Sequence, residues 1–257
     1  MYKIGLKLWS LNTDYYYEEA KRLYSQGIFD YIELYVVPGS LETLPKWKQL
    51  NIPFTLHAPH FNHGINLADK EKFAYNKSCF EEIFKAADFL QAQYIIFHPG
   101  VLGDIHETVR QLETIHDARM IVENKPPYQI PSMRLCRGAC IDEIKMILSE
   151  INVGFCLDIG HAICSANYFQ KDPYTYLADL EQLKPVYYHL VDNFIDSSED
   201  RHLNFGLGNY DLDRILNHIL NKSNPFLLET NKVSTTDLED FVRDTKYIKE
   251  IMEKKHD

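Results

Sequence analysis

Short apolar runs of strand type recur along the chain at Ile4–Trp9, Tyr31–Tyr35, Phe54–His57, Tyr94–His98, Met120–Glu123, Val153–Asp158, Val186–Val191 and Phe226–Glu229. Segments of helical period lie between most of them. Asp14 to Gly27 carries apolar residues at Tyr17, Ala20, Leu23 and Tyr24 and stops at glycine, a common C-terminal signal. Phe73 to Leu90 repeats the pattern with Phe80, Ile83, Phe84, Ala87 and Leu90, and Ile141 to Ile151 and Leu212 to Leu220 do likewise. Strand and helix alternating in this way, about 30 residues per unit, predict βαβ units and a parallel sheet. Eight such units favour an α/β fold closed as a single (β/α)8 TIM barrel. An open, doubly wound sheet is the alternative, but no GxGxxG or GxxxxGK[ST] follows any strand to support it.

Seven of the eight runs end at or near a His, Asp or Glu: Glu33, His57, His98, Glu123, Asp158, His189 and Glu229. In a parallel barrel the strand C-termini and the loops after them build the active site, while buried strand positions are mostly Val, Ile and Leu. Ligand-type residues placed where apolar strands run out therefore predict a metal site at the C-terminal mouth.

The length of 257 residues suits one barrel domain spanning 1–257, and 45% hydrophobic with 25% charged residues is ordinary for a globular chain. Only the Lys/Asp-rich C-terminal end is predicted to be disordered. The opening MYKIGLKLWSLN lacks the extended apolar region and cleavage site of a secretory leader, and no stretch reaches the roughly 20 apolar residues that span a bilayer. Five cysteines (Cys79, Cys136, Cys140, Cys156, Cys164) without a CxxC pair argue against a disulfide framework or thiolate zinc site and predict a reducing cytoplasm. A net charge of −10 counts against a surface built to coat nucleic acid, though not against a local anion site near bound cations. Nothing predicts an obligate protein partner.

The candidate chemistry sits at the strand ends. His98 closes YIIF before Pro99-Gly100 turns the chain away, and His57 follows FTL before Ala58-Pro59. His60 lies just beyond, so either His57 or His60 faces the site, with strand position favouring His57; His63 reads as a solvated loop residue. In GFCLDIGHA, Asp158 is either a helix N-cap or, with His161, one of two ligands presented across a tight turn. His189 lies in YYHLVDNF, where Asp192 and Asn193 are candidates to orient it. Asp200 and His202 form a D-x-H pair that an extended segment would present on one face. Glu123 and Glu229 each follow an apolar run, where a carboxylate is costly to bury unless paired or bound to a cation.

Each of these residues has a plainer reading as rim residue, cap, surface loop or salt bridge, but their coincidence at one mouth favours cations. Five imidazoles and four carboxylates without thiolates predict Zn²⁺ first and Mn²⁺ second, disfavour Mg²⁺ and Ca²⁺, and exceed the needs of one ion, implying two or three. Trp9 and Phe61 are candidates to line a sugar or base pocket.

The motifs HAP (57–59), INL (65–67), FHPG (97–100), VEN (122–124), LDIGHA (157–162), HLVDN (189–193), DRH with GLG (200–208) and LLET (227–230) run in order over nearly the whole chain. In this they resemble the xylose isomerase-like TIM-barrel superfamily, and within it the endonuclease IV branch of type 2 AP endonucleases. The resemblance implies that Glu123 bridges two zinc ions, with His57 and His98 on the first and Asp158, His189 and Glu229 on the second. A third would take His161, Asp200 and His202. It further implies a multi-metal phosphodiester hydrolase acting on damaged DNA or another phosphate-bearing molecule.

The chain departs from that pattern in three places. Val36 to Ile52 is short and carries only Lys46 and Lys48 where the endonucleases have longer, Arg-bearing loops; His60–Gly64 is extended; and Leu207 stands where the branch often has Glu. The superfamily's sugar and sugar-phosphate isomerases and epimerases are the alternative. Those resemble this chain in holding one divalent ion by residues like Glu123, Asp158, His189 and Glu229, with Glu123 and Glu229 moving the proton of a small sugar substrate.

Overall fold

The computed structural model describes residues 2–129, 132–221 and 223–253. The C-terminal end expected to be disordered lies outside them. Eight parallel strands form a closed barrel: β1 Ile4–Trp9, β2 Tyr31–Tyr35, β3 Phe54–His57, β4 Ile95–Phe97, β5 Met120–Glu123, β6 Gly154–Asp158, β7 Tyr187–Leu190 and β8 Phe226–Leu228. Each pairs with the next along the chain, and β8 returns to β1 through Ile4 opposite Phe226. The fold is therefore the (β/α)8 barrel that the alternating pattern predicts.

Side chains alternate across a strand, so each strand serves two layers. One set, including Ile4, Leu6, Leu8, Ile32, Leu34 and Leu56, joins the large core shared with the helices. The other set forms a separate buried cluster of Tyr31, Ile96, Ile121, Cys156, Tyr187 and Leu227. Two residues further along the same strands come Glu33, His98, Glu123, Asp158, His189 and Glu229. A strand period of two thus stacks a ring of polar side chains on an apolar plug. Gly5 makes room for that plug, because a Cβ there would overlap the Tyr31 ring.

Helices follow the predicted segments with local differences. Phe73–Leu90 is a helix as expected, and the segment predicted from Ile141 to Ile151 is helical over Ile141–Glu150. Asp14 to Gly27 splits into a 3₁₀ turn at Asn12–Asp14 and a helix at Tyr17–Ser25, after which Gly27 takes a left-handed φ of 68°. Leu212 to Leu220 opens as one α-helical turn and widens into a π-helix at Ile215–Ile219, closed by the Leu220 amide on the Ile215 carbonyl. The β4 run stops at Phe97, and His98 lies just past the pairing. An antiparallel ribbon that the pattern did not predict, Tyr128–Gln129 with Arg134–Leu135, rises after β5. All five cysteines are free, and no helix among the described residues is long and apolar enough to cross a membrane.

The long loop after β7 is fastened by Asp192. Its backbone pairs with Leu203, while its buried carboxylate accepts from the amides of Asn193, Gly206, Gly208 and Tyr210 at 2.8, 2.9, 3.0 and 3.3 Å. Gly206 has a φ of 86°, and a Cβ on Gly208 would overlap the Asn193 carbonyl, so both glycines of GLG are backbone requirements. Leu207 between them is 65% exposed, which makes that position free to vary. Asp192→Ala strands several buried amides at once and is expected to cost about 3 kcal/mol, read as a lowered midpoint in urea denaturation.

Candidate metal centre

Strand register brings the predicted residues together. Pairing of β6 with β7 sets Asp158 beside His189, and pairing of β1 with β2 sets Lys7 beside Glu33. His57 and Glu123 terminate β3 and β5, while Glu229 follows β8 with its amide on the Leu190 carbonyl. Asp158 is the N-cap considered for it, Oδ1 capping the helix Ile159–Tyr168 through the His161 amide at 2.7 Å, and its Oδ2 is buried without a hydrogen-bond partner. Asp200 and His202 come from the Asp192-anchored loop.

Among the described residues, four groups of side chains can each hold a metal ion. They are His57, His98 and Glu123; Glu123, Asp158 and His161; Asp158, His189 and Glu229; and His161, Asp200 and His202. All nine predicted ligands fall within them. His60 does not: its Nδ1 accepts from the Asn62 amide at 3.3 Å, its ring stacks on His98, and burial first, then His57, pushes its pKa down to about 3. His63 is bound to the Tyr35 hydroxyl at 2.8 Å rather than freely solvated.

The hydrogen bonds on the far sides of the rings test whether ions fit. His57, His161 and His202 each place Nδ1 on a backbone carbonyl, of Ala58, Asn124 and Glu229, at 2.7, 2.9 and 2.7 Å. A carbonyl only accepts, so Nδ1 carries the hydrogen and Nε2 of the neutral ring offers a lone pair. That lone pair meets carboxylate oxygen: His57 Nε2 to Glu123 Oε2 at 3.1 Å, His161 Nε2 to Asp200 Oδ2 at 3.2 Å, and His202 Nε2 to the same Asp200 oxygen at 2.7 Å. His189 Nε2 lies 3.0 Å from Glu33 Oε2, and its Nδ1 lies 2.8 Å from Glu229 Oε2 without forming a hydrogen bond.

Facing acceptors at such distances repel unless a cation or a proton lies between them. Without an ion His161 and His202 hold protons: burial opposes the charge on His161, but Asp158 and Asp200 hold its pKa up to about 10, and Asp200 raises His202 to about 9 against the same burial. Bonds of about 2.0–2.1 Å to a tetrahedral ion separate neighbouring ligand atoms by about 3.3 Å, close to most of these spacings. The donor set fits divalent ions.

Three further groups, none of them a predicted ligand, shape the electrostatics. Glu33, left without a role by sequence reasoning, receives Lys7 Nζ at 2.7 Å and faces both His189 and the Tyr187 hydroxyl, which donates at 2.9 Å. It orients His189, whereas Asp192, the residue expected to do so, is spent on the loop and Asn193 holds the Glu199 carbonyl. Lys7 also lies 3.1 Å from Glu229 Oε1, leaving Oε2 turned toward His189. Lys125 Nζ reaches His98 Nε2 at 3.1 Å, Glu123 Oε1 at 3.4 Å and His161 Nε2 at 3.4 Å. Burial opposes the charge on Glu123, but Lys125, His98 and His189 hold its pKa well below the carboxylate range. Lys125 follows Glu123 by two residues, but what each lysine touches follows from strand register and was not legible in the chain: Lys7 lies beside Glu33 only through the pairing of β1 with β2.

Above this floor lies a cavity of about 290 Å³, bordered by Trp9, Tyr35, Phe61, Tyr128 and Gln129 as well as by Lys7 and Lys125. Both predicted aromatic liners, Trp9 and Phe61, border it.

A closed parallel barrel with convergent carboxylates and imidazoles over its plug defines a class, and comparison with known proteins agrees. The chain belongs to the xylose isomerase-like TIM barrel family, whose model matches residues 29–251. A probable endonuclease 4 from Halothermothrix orenii is 25% identical over 206 residues, 69% of this chain and 72% of that relative. The crystal structure of a D-tagatose 3-epimerase-like protein is similar with a TM-score of 0.76 at 19% identity, covering 98% of this chain and 97% of the other. Endonuclease IV from Thermus thermophilus gives 0.73 at 19% identity, with 98% and 99% covered. These two structural likenesses establish the fold.

Two substitutions probe the floor. Glu33→Gln releases the outer nitrogen of His189 and is expected to weaken divalent-ion binding roughly 10–100-fold in calorimetric titration of chelator-treated protein; unchanged affinity would show that the barrel holds His189 without it. Lys125→Met removes a cation from the ligand cluster and is expected to tighten the same binding roughly tenfold, about 1.4 kcal/mol.

Proposed function

We propose that this protein is a multinuclear metal-dependent phosphoester hydrolase of the endonuclease IV type. The observation that carries the reading is that four ligand groups adjoin one another by shared residues, two of them through the buried carboxylate of Glu123. In this reading His57, His98 and Glu123 would hold one ion, Asp158, His189 and Glu229 with Glu123 a second, and His161, Asp200 and His202 a third. Zinc suits this donor set best and manganese next. When bound, the ions supply Lewis-acid activation of water and neutralise charge at phosphorus.

The chain's own residues prepare that chemistry. Glu33 keeps Nδ1 of His189 turned inward, and carbonyl partners do the same for Nε2 of His57, His161 and His202. Lys7 occupies Oε1 of Glu229, leaving Oε2 for a metal. The loop residues His161, Asp200 and His202 favour this reading, because a one-metal enzyme has no use for a third group. Similarity to a protein named probable endonuclease 4 supports it as well.

A second reading, a one-metal sugar isomerase or epimerase working through Glu123 and Glu229, draws on the fact that both carboxylates border the same cavity. Elemental analysis of protein purified without chelator separates the two. About three ions per chain, together with phosphoester cleavage that Glu123→Gln abolishes, is the expected result; one ion per chain, with epimerisation of ketoses or ketose phosphates and no hydrolysis, would establish the second reading.

A further inference from the structure

The mouth of the barrel is roofed from two sides. The extended loop after β3 meets the ribbon after β5, where Gln129 Nε2 donates to Asn62 Oδ1 at 2.5 Å and the Arg134 guanidinium lies 4.7 Å from the centre of the Phe61 ring. Tyr128 leans on Tyr168 through a hydroxyl contact of 3.0 Å, bracing the ribbon against the helix that starts after Asp158. Trp9 and Tyr35, tilted against each other with ring centres 4.6 Å apart, also border the cavity. The space left between roof and floor, about 290 Å³, is near the lower end of small-ligand pockets.

Duplex nucleic acid is gripped by Lys and Arg spread along phosphate backbones. Several of the cations on the surrounding loops already have partners. Arg134 covers Phe61, Arg201 pairs with Glu199 at 2.8 Å, Lys46 pairs with Asp14 at 3.3 Å, and Lys48 donates to the Phe89 carbonyl at 2.6 Å. The two ammonium groups bordering the cavity, Lys7 and Lys125, sit on its floor among Glu33, Glu123 and Glu229, away from the outer surface that a duplex would meet.

We infer that the site takes a small phosphate ester, of sugar-phosphate or mononucleotide size, and excludes duplex nucleic acid. This rests on the hydrolase reading for the reaction and on the roof for the size limit. In the reaction, water adds across the ester: a new bond joins its oxygen to phosphorus, the bond from phosphorus to the leaving oxygen breaks, and a proton passes to that oxygen.

The test uses the full chain loaded with zinc and three probes: ribose 5-phosphate, bis(4-nitrophenyl) phosphate, and a labelled duplex carrying an abasic-site analogue. Binding is read separately from turnover, by the fluorescence of Trp9 for the small esters and by anisotropy for the duplex. Trp47, the other tryptophan, is fully buried and reports little. The expected result is binding and cleavage of at least one small ester roughly tenfold or more in preference to the duplex. A Gln129→Ala, Arg134→Ala variant, which releases both roof contacts, is expected to narrow that preference. Nicking of the duplex as efficient as cleavage of the small esters would overturn the inference and leave the hydrolase reading standing. Ribose 5-phosphate binding without hydrolysis of any ester, and without duplex binding, would overturn the hydrolase reading while the size limit survived. Failure of every small ester to bind would overturn the inference.

Discussion

The apolar plug inside the barrel is the constraint on which the site depends. Tyr31, Ile96, Ile121, Cys156, Tyr187 and Leu227 close the barrel to water from below, and the next inward position on each strand is a charged or ligating residue. A charge resting on a dry floor costs several kcal/mol unless it is compensated. The polar ring is tolerable only as a network, and almost every member of it touches an opposite charge or a fixed donor.

The network is incomplete as a set of ordinary ion pairs. Glu33, Glu123, Asp158, Asp200 and Glu229 are carboxylates in or beside the ring, while Lys7 and Lys125 are the ammonium groups that reach them. The imbalance falls where imidazoles face carboxylates lone pair to oxygen. Protons can fill those gaps one charge at a time; divalent ions would fill them two at a time, and Asp158 Oδ2, Asp200 Oδ1 and Glu229 Oε2, which have no hydrogen-bond partner, would be open to them. The same field that makes the bare cluster hold protons makes it attractive to a metal.

Rigidity around the ring comes from devices that carry no chemistry of their own. Asp192 gathers four amides and so fixes the loop bearing Asp200 and His202, and backbone carbonyls hold three of the rings by their outer nitrogens. The roof is built differently, from side-chain contacts between loops, where Asn62 meets Gln129 and Phe61 meets Arg134. On this fold the floor sets the reaction class, and the loops decide what reaches it.

The strands and six of the nine candidate ligands were legible in the chain because each depends on local periodicity, apolar runs ended by a His, Asp or Glu at a recurring place; His161, Asp200 and His202 lie beyond the strands and were legible only through the short motifs LDIGHA and DRH. Glu33 was legible as a strand end but not as a partner of His189, since that contact spans the barrel across 156 positions of sequence. The choice between His57 and His60 was open for a similar reason. His57 ends β3 and His60 follows it closely, and only the inward direction of the last β3 side chain puts His57 on Glu123 while His60 caps a loop through Nδ1 and lays its ring on His98. Lys7, Lys125 and the roof belong to the same class of facts. Sequence by itself determined the elements and the type of residue at each strand end, because backbone periodicity is local. Tertiary structure alone decided which of those residues share a charge and how much room remains above them, because both follow from strand register and loop packing between distant segments.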